Sequence, residues 1–406
     1  MEVLEIIKLI ERGFETSSVQ FKRRIDHINQ LSQEIVAFAN TRGGYLIIGV
    51  EDNGEVIGLS AAEIRKLNQW IANVSTEIIR PPISPLTEVI NIQGKNVLVA
   101  EVPKGANIPY YTNEGIAFVK KGSDKRIAPP EEILRMFQRA GKLYADEGIV
   151  GNASASCIDE QIFKEFLYHK FYQRSAREAM SVREFKKLRM EEALEKSGTQ
   201  ASFNTALKNM AFSDGNHLTL AGLLLFGKNP QQHRPMFAVQ CISYAGNDIS
   251  GTSFRDSAPP FEGNLKMLFE QAMAFVKRNL KLVQVEKSFN SLGELEIPQI
   301  TLEELLVNAL VHRDYFINAS VKVMMFDNRV EIISPGKIPN SLTIENITHG
   351  QSISRNPVLC QNAQFLLPYK GMGSGIPRAI ANYKHIELPK TNETEEQFKA
   401  IIHRTV

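Results

Sequence analysis

The sequence contains no apolar run that approaches the roughly 20 residues a helix needs to cross a bilayer, so no membrane partner is expected. Cysteine is scarce: Cys157, Cys241 and Cys360 stand far apart, odd in number and without metal-ligand spacing. That argues against a disulfide framework or a zinc site and suits a reducing compartment. Charge of one sign is equally short. The 47 Lys and Arg against 45 Asp and Glu leave a net charge of +2, so a surface for nucleic acid has to be a local one. Met1 to Glu5 lacks the basic region of a signal peptide, and a cytoplasmic, soluble protein is expected. No Walker A sequence occurs, which excludes a P-loop motor, and no Gly-x-Ser-x-Gly nucleophile turn is found. Internal repeats and low-complexity tracts are absent as well.

What is present is an ordinary globular composition, 43% hydrophobic and 23% charged, over 406 residues. That length suits two or three domains. The most structured stretch runs from Glu15 to Gly58. Leu31, Ile35, Phe38 and Ala39 recur at helical spacing, and Gly43-Gly44 closes the helix. Tyr45 to Val50 reads as a strand buried on both faces. Asp52-Asn53-Gly54 then predicts a turn, with Val56 to Gly58 returning as the second strand of a hairpin. Before this stretch, Val3 to Arg12 has a helical apolar face. After it, Ser60-x-x-Glu63 predicts a capping box, and the helix it opens carries Ile64, Leu67, Ile71, Val74 and Ile78 until Pro81-Pro82. Strands are expected from Asn96 to Pro103 and Ile116 to Lys121, followed by a helix led by Pro130.

Residues 147–156 are rich in small residues and have no periodicity, so a linker is expected there. Helices follow to Met210, then an apolar stretch from Leu218 to Phe226, a strand from Phe237 to Tyr244, and a long amphipathic helix from Phe261 to Leu282. Thr301-x-x-Glu304 predicts a second capping box, opening a helix through Val311. Glu304, Asn308 and His312 fall on one face of that helix. Strands from Val321 to Phe326 and from Val330 to Ser334 flank Asp327-Asn328, and Gly371-Met372-Gly373-Ser374-Gly375 leads into a last helix.

Two sets of motifs carry a resemblance. Glu15-x-x-x-x-Gln20-Phe21-Lys22, Ala37-Phe38-Ala39-Asn40-Thr41-x-Gly43-Gly44, Gly49-Val50-x-Asp52-x-Gly54-x-x-x-Gly58 and Phe118-Val119-Lys120-Lys121-Gly122-Ser123 resemble the Schlafen-type AlbA-like domain. Glu304-x-x-x-Asn308-Ala309-x-x-His312-Arg313-Asp314-Tyr315, Ser334-Pro335-Gly336, Arg355-Asn356-Pro357 and the glycine run look like the RecG-C-terminal branch of the GHKL ATPase fold. In this order they resemble a family of bacterial proteins described as transcriptional regulators. The resemblance implies an α+β chain: an AlbA-like, nucleic-acid-binding domain over 1–146, the linker at 147–156, a helical region over 157–230, and a GHKL-like nucleotide-binding α/β sandwich over 231–406.

The resemblance also implies sites. In nucleolytic Schlafen relatives three carboxylates hold a divalent metal for phosphodiester cleavage. Their positions here are Glu15, Gln20 and Asp52, so the middle ligand is an uncharged amide. Glu15 and Asp52 are the catalytic and metal-ligand candidates, with a surface acid and a turn residue as the plainer reading. Lys22, Arg23 and Arg24 form one basic cluster, and Lys120, Lys121, Lys125 and Arg126 another. Phosphate backbones are bound by such clusters, with a solvated hairpin as the plainer reading, and Tyr110 and Tyr111 are candidates for base stacking or, more commonly for such a pair, packing. In GHKL ATPases the residue matching Glu304 activates water, the one matching Asn308 helps hold magnesium, and backbone N–H groups such as those of Gly371, Gly373 and Gly375 wrap phosphates. Ser334-Pro335-Gly336 stands where active enzymes carry the adenine-reading aspartate. The expected function is a DNA-binding regulator with a degenerate nucleotide site for ATP and magnesium, acting as a homo-oligomer. The rivals are a metal-dependent nuclease gated by ATP and a non-catalytic interaction protein. Whether the chain is an enzyme is left open.

Overall fold

The computed structural model describes residues 3–175, 180–284, 293–338, 342–389 and 396–405. The chain divides into two compact units, Met1–Leu143 and Tyr144–Val406.

In the first unit, strands β1 (Val19–Lys22), β2 (Gly44–Ile48), β3 (Leu86–Ile92) and β4 (Lys95–Val102) form one sheet in the order β1-β2-β4-β3. Strands β1 and β2 are parallel, with Val19 opposite Tyr45 and Lys22 opposite Ile48. Parallel neighbours need a crossover, and the Ile28–Asn40 helix supplies it. Its Leu31, Ile35 and Phe38 pack with Leu46 and Ile48 on one face of the sheet. On the other face Phe21, Ile47, Val97 and Val99 meet Ile6 and Ile10 of the Val3–Arg12 helix. Alternate side chains of β2 are therefore buried on both sides, which is why its sequence reads as a continuous apolar run. Strands β5 (Phe118–Lys121) and β6 (Asp124–Ile127) make a separate hairpin.

The hairpin expected within the Glu15–Gly58 stretch does not form. Both edges of β2 are taken, one by β1 and the other by β4. The returning segment makes only an isolated bridge between Val50 and Val56, and Ile57 and Gly58 donate to the Gly49 carbonyl, each at 2.9 Å. The first capping box does form: Ser60 Oγ accepts from the Glu63 N–H, and Glu63 Oε2 accepts from the Ser60 N–H at 2.8 Å.

In the second unit the strands are β7 (Val239–Tyr244), β8 (Phe254–Ser257), the paired β9 (Leu282–Gln284) and β10 (Gly293–Leu295), β11 (Val321–Met325), β12 (Arg329–Pro335), β13 (Ile386–Glu387) and β14 (Gln397–His403). Six of them form a sheet in the order β13-β14-β12-β11-β7-β8, in which only β11 and β7 run parallel. The helices Leu265–Asn279 and Gln299–Val311 share one apolar core with this sheet, and Phe163, Phe166, Phe212 and Phe226 of the helical stretch belong to the same core. Residues 147–156 pack into it too: Val150 donates to the Leu218 carbonyl and Leu218 to the Ala153 carbonyl, both at 2.8 Å.

The second capping box is absent. The helix starts at Gln299 with Pro298 at its N-cap, so Thr301 already lies inside it. Thr301 is buried, and its hydroxyl donates to the Ala379 carbonyl at 3.3 Å, tying this helix to the last one, Gly375–Asn382.

A buried carboxylate braces the unit. Asp146 accepts the Leu359 N–H at 2.9 Å, while its Oδ1 has no partner among the described residues. Burial, with Glu147 adding to it, pushes its pKa up to about 6 against the opposing N–H bonds. A folded-state pKa above the unfolded one stabilises the protein at low pH, and that contribution is lost as pH rises through the folded value. Asp146→Asn should therefore gain stability relative to wild type between about pH 4 and 6, reaching up to about 3 kcal/mol above pH 7. Urea melts across that range check it; a difference independent of pH would refute the assignment.

Candidate functional site

The carboxylate site of the first unit is built around a lysine. Asn40, at the end of the crossover helix, donates to the carbonyls of Tyr110 and Phe118, both at 2.9 Å, and accepts from the Tyr110 N–H at 2.7 Å. The next residue, Thr41, accepts the Lys120 N–H at 3.0 Å. These bonds fix β5 against the helix and send the Lys120 side chain inward, where it has 0% exposure. Its ammonium donates to Glu34 Oε2 at 3.0 Å, to the Ser123 carbonyl at 3.1 Å and to Gln20 Oε1, and lies 4.8 Å from the centre of the Phe38 ring. Lys125 reaches the other oxygen of Glu34 at 3.1 Å. Burial alone would raise the Glu34 pKa; Lys120 and Lys125 more than offset it and hold the carboxyl below its ordinary value.

Gln20 completes the chain of contacts by donating its amide to Glu15 Oε1, which also accepts the Phe21 N–H at 2.9 Å and lies 3.8 Å from the Lys22 ammonium. Asp52 is exposed in the turn. Among the described residues no three His, Cys, Asp or Glu side chains stand together as metal ligands. A divalent ion needs clustered, available oxygens. Here Glu15 Oε1 and the Gln20 oxygen already face N–H donors, and the local cations are three ammonium groups. The residues present do not fit a metal.

This corrects two expectations. Lys120 belongs to a buried ion pair and cannot meet a phosphate. Tyr110 is buried with its backbone held by Asn40, so it has no face to offer a base. Glu34, absent from the sequence-based candidates, is a central acid of the site. Its signal was a single acid at helical spacing from the apolar face that was read: it lies three residues after Leu31 and four before Phe38, on the buried side of the helix. Of the other basic residues, Lys22 and Lys125 are half-buried beside Glu15 and Glu34, and the rest sit at the surface. Arg23 pairs with Glu51 at 3.3 Å, Arg126 with Glu132 at 3.1 Å and Arg24 with Glu63, while Lys121 is exposed.

The second unit has a pocket of about 930 Å³ including its open mouth, where the Gln299–Val311 helix, the end of β12 and the glycine run converge. Asn308, His312, Ser334, Gly371, Gly373 and Gly375 all line it. Gly373 has φ +70° and approaches Gly350 so closely that a Cβ would lie 2.1 Å from the Gly350 carbonyl oxygen, so only glycine fits. A Cβ on Gly375 would stand 2.7 Å from Glu304 Oε2 and 2.8 Å from Asn308 Nδ2. The loop thus lies directly on the expected pair. Asn308 donates to the Glu304 carbonyl at 2.7 Å, which leaves its side-chain oxygen as the remaining acceptor. Glu304 is ion-paired with Arg378 at 2.6 Å. Its pKa is nevertheless raised, by burial first, against the pull of Arg378 and Lys370.

Lys337, Arg355, Lys370 and Arg378 also line the pocket, and among the described residues no Asp or Glu does. Ser334 donates its hydroxyl to the Ala309 carbonyl at 2.8 Å, so that group is committed to the protein. His312 Nε2 and the Tyr369 hydroxyl share a hydrogen bond at 2.9 Å, and burial together with Arg355 lowers the His312 pKa to about 4, leaving the ring neutral. Arg313 is buried and donates to the carbonyls of Ile317 and Ala319.

Residues 15–129 match the family model for the Schlafen, AlbA_2 domain, and residues 318–402 match that for the RecG C-terminal (HATPase_c_4) domain. The chain joins a Schlafen AlbA_2 domain to a RecG C-terminal domain. Both descriptions belong to nucleic-acid-related proteins. The second match begins after the helix that carries Glu304 and Asn308. Among solved structures, the DIP2311 protein of Corynebacterium diphtheriae is 19% identical with a TM-score of 0.46, over 96% of this chain and 75% of that one. The N-terminal domain of a helicase RecG-related protein from Nitrosomonas europaea is 21% identical with a TM-score of 0.23, over 32% of this chain and 95% of that one.

The AlbA_2 site predicts a strong coupling. Lys120→Met leaves Glu34 without its buried partner, which should cost about 3–5 kcal/mol. Adding Glu34→Gln should return part of that loss, because both charges are then gone. Denaturant melts of the two single variants and the double variant measure this; additive losses would show that the pair is not coupled.

Proposed function

We propose that this protein is a DNA-binding transcriptional regulator whose AlbA_2 unit engages the phosphate backbone and whose C-terminal unit holds a nucleotide without efficient turnover. One observation carries the reading: Glu15 and Glu304, the two acids that hydrolytic chemistry would need, are each already engaged by groups of their own chain. A base paired with an arginine has to be released before it can activate water, which keeps turnover inefficient. The same observation weighs against a metal-dependent nuclease. Asn308, through its remaining side-chain oxygen, would hold magnesium on the nucleotide phosphates, and the N–H groups of the glycine run would face those phosphates.

For nucleic acid, the footprint is Arg23, Arg24, Lys121 and Arg126. Exposed ion pairs are worth only about 0–1 kcal/mol, so these arginines exchange a carboxylate for a phosphate at little cost. Replacing all four with alanine should weaken duplex binding across sequences, with the salt dependence flattening by about 0.9 per lost contact. Filter binding or anisotropy at several salt concentrations tests it, and unchanged affinity and slope would remove this surface from the proposal.

For the nucleotide, the described residues of the pocket include no carboxylate to read adenine, and the Ser334 hydroxyl is already committed. A missing charge-assisted hydrogen bond costs about 1.5–3 kcal/mol, or roughly ten- to a hundred-fold in affinity. Calorimetry should find ATP and GTP bound weakly and about equally, with Asn308→Ala weakening both and hydrolysis negligible. Tight, ATP-selective binding or brisk turnover would contradict the proposal.

A further inference from the structure

Arg378 lies one helical turn beyond Ser374, on the Gly375–Asn382 helix that the glycine run leads into. Its Nη1 is 2.6 Å from Glu304 Oε1, and its Nη2 donates to Ser374 Oγ at 2.8 Å. Arg378 lines the pocket, whereas Glu304 does not. Arg378 thus stands between a nearly buried carboxylate, 8% exposed, and the open space of the pocket. A guanidinium carries five N–H donors in a planar fork suited to phosphate. These two contacts leave donors over for a ligand entering from the pocket.

We propose that Arg378 is the anion-reading residue of this pocket, and that a phosphate-bearing ligand binds by drawing the guanidinium away from Glu304. This rests on the reading of the pocket as a nucleotide site and adds how that site is held when empty. Glu304 acts as an internal stand-in for the ligand's phosphate: it keeps Arg378 in place, and each incoming anion competes with it. The energetic logic is that of any competition for one partner, in which the apparent affinity falls by the fraction of the receptor already occupied. A polyphosphate brings more charge and more acceptor oxygens than a single carboxylate, and bidentate phosphate pairing is the geometry guanidinium favours. Loss of the carboxylate should therefore strengthen anion binding, the reverse of what a residue holding the site in shape would give.

The probe is inorganic triphosphate, measured by calorimetry on the full chain at fixed ionic strength, with melting curves confirming that each variant is folded. Glu304→Gln should tighten binding about tenfold, and Arg378→Gln should weaken it about tenfold. In the Arg378→Gln background, Glu304→Gln should give no gain. Glu303→Gln, which changes the same charge next along the helix, should leave the affinity near that of wild type. If Arg378→Gln does not fold, Arg378→Lys takes its place; it keeps the charge without the fork and should bind between the two. An equal gain from Glu304→Gln with and without Arg378 would reduce the effect to long-range charge and overturn the exchange while the pocket reading stands. Triphosphate binding indifferent to Arg378 would also overturn it. No binding by any folded variant would instead remove the pocket as a phosphate site, and the exchange with it.

Discussion

Each unit of this protein places a sheltered carboxylate beside a cation from its own chain, and the shape of each site follows from that pairing. Removing a charge from water is costly, and it is tolerated only where a partner and further hydrogen bonds replace the lost solvation. In the AlbA_2 unit Lys120, with no exposed side-chain surface, meets Glu34, Gln20 and the Ser123 carbonyl. In the C-terminal unit Arg378 meets Glu304 and Ser374. Each pairing joins elements far apart in sequence: a crossover helix to a separate hairpin in one case, two helices of the same pocket in the other.

The pairings also set the chemistry each site can perform. A carboxylate that receives N–H donors from its own chain is a poor metal ligand and a poor base. The AlbA_2 site is a hydrogen-bonded chain running from Glu15 through Gln20 to Lys120. The C-terminal pocket keeps a glycine loop pressed against Glu304 and Asn308, but its lining is cationic and apolar.

Much of the fold was legible in the residues because its signals are local. Helical spacing marked the Ile28–Asn40 and Gln299–Val311 helices, Ser60 and Glu63 announced a cap that forms, and the glycine run announced a helix start. The misread elements turn on partners distant in sequence. Val56 to Gly58 has hairpin chemistry, but β4 already fills the edge of β2. Thr301 has capping chemistry, but the helix begins earlier and its hydroxyl is spent on Ala379.

The sequence by itself determined most of the helices, the shared face of Glu304 and Asn308 and the start of the last helix, since spacing along a helix and the backbone freedom of glycine act over a few residues; the two domain types and the meeting of that face with the glycine run were what the family resemblance implied. Only the tertiary structure decided which charges meet. Lys120 and Lys121 are adjacent, yet one is sealed against Glu34 and the other is exposed, because successive residues of a strand point to opposite sides. Glu34 and Arg378 carried no motif, and they became central because packing left each beside an opposite charge where solvent is largely excluded and pairing is the cheapest remaining solvation.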